Sequence, residues 1–121
     1  MLNILIVDDS MLIRKTLSKV IKELGYNVIG EAKNGLEAIE MYNELYPDIV
    51  TMDITMPEMD GVDALLAIKQ KDKKAKVIMI TSHGEENLVM KAIIGGAKGY
   101  ILKPIDKEKV EASIKKIFPF L

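Results

Sequence analysis

Ile4-Leu5-Ile6-Val7-Asp8-Asp9 sets four apolar residues directly against two carboxylates. A run this short, bounded by turn signals, reads as a buried strand. The same arrangement returns three times. Ile49-Val50-Thr51-Met52 ends at Asp53, Val77-Ile78-Met79-Ile80 ends at Thr81, and Tyr100-Ile101-Leu102 ends at Lys103. Between these runs the apolar residues fall at helical spacing. Leu12, Ile13, Leu17, Val20, Ile21 and Leu24 mark a first helix, which Asp9 or Ser10 can cap at its start and Gly25 at its end. Asn27 to Glu31 reads as a short second strand. Gly35 opens a helix carrying Leu36, Ile39, Met41, Tyr42 and Leu45, closed before Pro47. The turn-rich stretch Met56 to Gly61 leads to a third helix with Val62, Leu65, Leu66 and Ile68. A fourth helix spans Glu85 to about Gly95, a fifth strand Gly99 to Leu102, and a last helix Asp106 to about Phe118.

Strands alternating with helices five times predict an α/β fold, a doubly wound parallel sheet with right-handed crossovers and helices on both faces. Strands covered on both faces are apolar throughout, as these are. Only the second strand ends without a chemically interesting group. That places it at an edge, as in the order 2-1-3-4-5, where strands 1 and 3 flank the switch point. Groups at the carboxyl ends of the other strands then meet in one crevice.

Composition narrows the classes. With 121 residues the chain is expected to form one domain over 1–121. It has no cysteine, which suits a reducing cytosol. Seventeen basic residues against eighteen acidic ones leave no basic nucleic-acid footprint. The first apolar run stops at Asp8, and no stretch is long enough for membrane insertion. A soluble, cytoplasmic protein is the expectation.

Each site group has a plain reading when taken singly. Asp8 and Asp9 suit a helix N-terminus, Asp53 a turn, Thr81 and Ser82 a turn cap, and Lys103 a solvated strand end. Their coincidence at four strand ends calls for more. Three carboxylates in one crevice repel each other unless a cation neutralises them. Oxygen ligands with room for water match Mg2+, and one histidine without cysteine offers zinc little. An ionised Asp is a competent nucleophile toward phosphorus. Asp53, single and central in the sheet, is the candidate, and Lys103 can meet a phosphoryl oxygen as a point charge.

The chain resembles the receiver domain of two-component response regulators over essentially its whole length. Four motifs carry the resemblance: Leu5-Ile6-Val7-Asp8-Asp9-Ser10, Asp53-Ile54-Thr55-Met56-Pro57-Glu58-Met59-Asp60-Gly61, Ile80-Thr81-Ser82 and Gly96-Ala97-Lys98-Gly99-Tyr100-Ile101-Leu102-Lys103-Pro104-Ile105. It implies a flavodoxin-like fold with five helices and a switch rather than an enzyme. Asp53 would accept a phosphoryl group from a sensor histidine kinase. Asp9 would bind Mg2+ directly, Asp8 through water, and Thr55 through its backbone carbonyl. Thr81 and Lys103 would hold the phosphoryl group. On phosphorylation Thr81 would move toward it and Tyr100 would turn inward, reshaping the surface of the fourth helix, fifth strand and fifth helix. Relatives commonly carry a cis peptide before the proline matching Pro104. The resemblance implies a monomer, with phosphorylation-dependent dimerisation as a further state, and a phosphatase among the partners.

The fourth helix supports an output surface independently. Leu88, Ala92 and Gly95 suffice as its buried stripe, leaving Val89, Met90, Ile93 and Ile94 for neighbouring loops or a partner. Thr55 and His83 lie where relatives vary and tune phosphoryl lifetime. The chain ends near Phe118-Pro119-Phe120-Leu121, so output is expected to pass to a separate protein. The wording around Asp53 looks most like chemotaxis response regulators, which bind a flagellar motor switch component when phosphorylated. A phosphorelay intermediate or a regulator of another output is the nearest rival. More distant are a Mg2+-dependent phosphohydrolase, which wants a general acid where Thr55 stands, and a flavin or nucleotide carrier, whose phosphate Asp8 and Asp9 would repel.

Overall fold

A computed structural model describes residues 1–120. Ten elements alternate along the chain: β1 (Asn3–Val7), α1 (Met11–Glu23), β2 (Asn27–Ala32), α2 (Gly35–Leu45), β3 (Ile49–Asp53), α3 (Gly61–Lys71), β4 (Val77–Thr81), α4 (Glu86–Ile94), β5 (Gly99–Leu102) and α5 (Lys107–Ile117). The strands form one parallel sheet in the order β2-β1-β3-β4-β5. Both the alternation and the strand order agree with the sequence-based expectation.

Successive side chains on a strand point to opposite faces, and this divides the core in two. Leu5, Val7, Val50, Met52, Val77 and Met79 face Ala38 and Tyr42 of α2, Ala64, Leu65 and Ile68 of α3 and Ala92 of α4. Ile4, Ile6, Ile49, Ile78, Ile80 and Ile101 face Leu17 and Ile21 of α1 and Val110 and Ile114 of α5. Burial of each Val, Leu, Ile or Met side chain among these contributes about 1.5–3 kcal/mol. The central strands β3 and β4 are buried at every position. The edge strands differ from the uniform burial expected of them. β2 is buried only at Ala32 and β5 only at Ile101, because each has a neighbouring strand on one side alone.

Four helices begin on a side chain that accepts from a first-turn amide. Ser10, Asn34, Asp60 and Asp106 cap α1, α2, α3 and α5 through the amides of Ile13, Glu37, Asp63 and Lys109. Such a cap typically stabilises its helix by about 1 kcal/mol. At α4 the cap position is Glu85, whose side chain makes no capping bond. It is engaged elsewhere.

Candidate functional site

The parallel sheet brings the carboxyl ends of β1, β3, β4 and β5 to one edge, and the expected residues arrive there together. Asp8 is anchored by its amide to the Ala32 carbonyl, 3.0 Å away, which ties the end of β1 to the edge strand. Its Oδ1 accepts from the Ser10 amide at 2.9 Å. Arg14, an unforeseen neighbour from α1, donates to the Asp8 carbonyl at 2.7 Å and pairs with Glu31 at 3.2 Å. Asp53 ends β3 and is 6% exposed. Behind it the Gly61 amide donates to the Ile54 carbonyl at 2.7 Å. A Cβ on Gly61 would fall on the Asp53 carbonyl oxygen. Only glycine lets α3 start so close to the acceptor strand.

Lys103 reaches back across the sheet. Its Nζ lies 3.3 Å from Asp53 Oδ1 and 3.6 Å from Asp8 Oδ2. The peptide bond from Lys103 to Pro104 is cis. Carboxylate oxygens of Asp8, Asp9 and Asp53 all lie within 4.8 Å of one another. When ionised they exceed the charge of the single lysine by two. Asp8 Oδ2 is buried without a hydrogen-bond partner. An orphaned buried oxygen facing surplus negative charge is the environment that a hard divalent cation relieves.

The titration behaviour reflects the same imbalance. Asp53 is pushed up to about 7, first by burial and then by the Asp8 charge, with Lys103 opposing. Burial also raises Asp8, against the Ser10 amide and Lys103. For Lys103, burial favours the neutral form, but Asp53 and Asp8 outweigh it and raise its pKa.

Thr81, 2% exposed, ends β4 beside this cluster. Its hydroxyl does not point to Asp53. It donates to Glu85 Oε1 at 3.1 Å and lies 3.3 Å from the Ser82 carbonyl. The Thr55 hydroxyl donates to Glu85 Oε2 at 2.7 Å, and the Ser82 amide to Glu85 Oε1 at 2.6 Å. Glu85 therefore joins the loop after β3 to the loop after β4. Burial alone would favour its protonated form, but the bonds from Thr55, Ser82 and Thr81 prevail and hold its carboxyl below the usual range. Sequence reading treated Glu85 only as a helix start. The signal was Ser82-His83-Gly84-Glu85, the pattern in which an acidic side chain turns back to an upstream amide.

Beside Thr81 opens a groove of about 400 Å³ lined by Ser82, His83, Val89, Met90, Ile93 and Tyr100. Tyr100 is 55% exposed and points outward, away from the position expected after phosphorylation. Met90 and Ile93 are exposed as well, and Ile94 more so. Val89 is half-buried, packing with Leu88 against the core while also lining the groove. The buried side of α4 is thus wider than Leu88, Ala92 and Gly95. Val89 shows only one flank to the groove.

Among the described residues, no helix is long and apolar enough to cross a membrane. The response regulator receiver domain family matches residues 4–115. A chemotaxis protein CheY of Listeria monocytogenes is 48% identical over 116 residues, covering 96% of this chain and 98% of that protein. The CheY of Thermotoga maritima is also 48% identical, over 94% of this chain and 95% of that one. Among solved structures, the CheX–CheY–BeF3–Mg complex of Borrelia burgdorferi contains a chain matching at TM-score 0.92 and 45% identity, over 97% of this chain and 89% of that chain. Fold, strand-end residues and near-full-length similarity agree: the chain belongs to the response regulator receiver domain family, with chemotaxis CheY proteins among its relatives.

Proposed function

We propose that this chain is a phosphorylation-activated switch of two-component signalling, serving chemotaxis. The observation that carries the proposal is the placement of buried Asp53 against the Lys103 ammonium, 3.3 Å away, within a three-carboxylate cluster. An Asp53 oxygen attacks the phosphorus of a phosphohistidine on the kinase. A P–O bond forms, the P–N bond breaks, and the imidazole leaves with the bonding pair. Lys103 then offers its charge to the phosphoryl oxygens, a contact stronger than a neutral hydrogen bond. The Thr81 hydroxyl donates to another of those oxygens once released from Glu85. Asp8, Asp9, Asp53 and the Thr55 carbonyl would hold Mg2+, which when bound supplies positive charge to offset the surplus of the carboxylates and phosphoryl group.

Phosphorylation is a local charge event that biases a two-state element. Here that element is the β4–α4 loop with Thr81, together with outward Tyr100. The groove beside Val89, Met90, Ile93 and Tyr100 is the surface that changes. Its reader is a separate cytoplasmic partner, which in a chemotaxis pathway would be a flagellar motor switch component.

The test is phosphorylation by acetyl phosphate with Mg2+, read by intact mass and peptide mapping. One phosphoryl group on Asp53, absent from Asp53→Asn, is expected. A label at another residue, or undiminished labelling of Asp53→Asn, overturns the assignment. Capture from lysate on the beryllofluoride-loaded protein then identifies the reader. A motor switch component retained only in that state is expected, whereas a phosphotransfer protein alone would move the reading to a phosphorelay.

A further inference from the structure

We propose that Glu85 is a resting-state latch, a positioning residue that holds the Thr81 hydroxyl away from Asp53 and must let go when the phosphoryl group arrives. The inference rests on the phosphoacceptor reading of Asp53 and deepens it by naming what opposes the switch. Its foundation is geometric. One carboxylate gathers three donors from the loop after β3 and from the end of β4 with its loop: the Thr55 hydroxyl at 2.7 Å, the Ser82 amide at 2.6 Å and the Thr81 hydroxyl at 3.1 Å. A hydroxyl carries a single proton. Thr81 therefore cannot donate to Glu85 and to a phosphoryl oxygen on Asp53 together.

The latch also explains why α4 is built differently from the other helices. The other four start on a side-chain cap, whereas Glu85, at the cap position of α4, turns away from the helix to hold the loops. The Val89 amide bonds the Glu85 carbonyl at 2.9 Å, so the first turn of α4 is attached directly to the latch. Val89 in turn lines the groove with Met90, Ile93 and Tyr100. Release of Thr81 from Glu85 thereby reaches the groove through one helical turn. A second effect has the same sign. The Glu85 carboxylate and an incoming phosphoryl group would both be anionic, and like charges repel.

The test is a double-mutant cycle on the intact chain, with beryllofluoride plus Mg2+ as the phosphoryl mimic and amide NMR as the readout. A hydrogen bond to a charged group contributes about 1.5–3 kcal/mol. Loss of the competing bond in Glu85→Ala should therefore tighten beryllofluoride binding by about tenfold or more. In a Thr81→Ala background no hydroxyl remains to compete for, and the same substitution should gain no more than about twofold, the share left to charge repulsion. Glu85→Gln preserves the side-chain shape and one acceptor, so an intermediate gain is expected. In the ligand-free protein the Ser82 amide proton should move upfield in Glu85→Ala, reporting the lost bond. Unchanged or weaker binding in both Glu85 variants overturns the latch, as does an equal gain with and without the Thr81 hydroxyl. If the wild-type chain shows no Asp53-dependent beryllofluoride binding at all, the phosphoacceptor reading fails and takes the latch with it. That result is distinct, because Asp53→Asn and wild type then behave alike.

Discussion

Replacing Asp53 by Asn should stabilise the metal-free protein even though it removes the proposed phosphoacceptor. Asp53 has a pKa of about 7 in the folded chain against an ordinary value of 3.8, chiefly through burial and the adjoining Asp8 charge. Each pKa unit corresponds to about 1.36 kcal/mol. Ionised Asp53 thus carries a penalty of up to about 4 kcal/mol in the native state above neutral pH. The sign follows from proton binding. The native state holds the Asp53 proton more tightly than the unfolded chain does, so the penalty is absent below the unfolded pKa. It builds as pH rises and is complete above the folded pKa. Asn mimics the neutral acid, but its buried amide protons need partners, which offsets about 1–3 kcal/mol. A net gain of about 2 kcal/mol near pH 8 is expected; near pH 5 the penalty has shrunk to about 1.7 kcal/mol, which the amide offset cancels, so the gain should vanish there. Urea denaturation in chelator at both pH values measures it, with an unchanged dependence on urea showing that the unfolded state is the same. Mg2+ should narrow the gap by stabilising the wild type, by about 1.4 kcal/mol at ten times its dissociation constant. An Asp53→Asn protein no more stable than wild type near pH 8 without Mg2+ would refute the view of this cluster as electrostatically frustrated.

Other expectations concern the surroundings of Asp53. Asp9→Ala removes one of three carboxylates that converge within 4.8 Å, and should abolish the Mg2+ dependence of both stability and phosphorylation; an unchanged Mg2+ titration would count against it. Gly61→Ala would push a methyl group onto the Asp53 backbone and against Met52 Cγ. Overpacking of this kind costs about 1–3 kcal/mol, and urea denaturation together with a slower phosphorylation rate should report it. Ile93→Asp changes a residue on the exposed side of α4. Stability should stay within about 0.5 kcal/mol, while affinity for the phosphorylation-dependent partner falls at least about fivefold by titration calorimetry.

Much of this protein is decided locally. Short apolar runs between helical patterns specify strand and helix because period and length are local properties, and covered strands must be apolar on both faces. Ser10, Asn34, Asp60 and Asp106 each stand next to the helix they cap. Asp8, Asp53, Thr81 and Lys103 were recognisable because a parallel sheet sends every strand's carboxyl end to the same edge. Other features depend on groups distant in the chain. The Asp53 pKa arises from burial and from Asp8, just past the end of a different strand, and neither is visible in the residues beside it. The half-burial of Val89 depends on how α4 is rotated on the sheet, and two apolar faces of a helix look alike in a linear pattern. Glu85 is the sharpest case. Its spacing from Ser82 announced a local turn, but its contact with Thr55 spans thirty residues. That contact exists only because β3 and β4 are neighbours and place their following loops side by side. The sequence therefore determined the fold and the residues gathered at its crevice. Tertiary structure decided which of them hold one another there, because a hydrogen bond or a charge acts through space rather than along the chain.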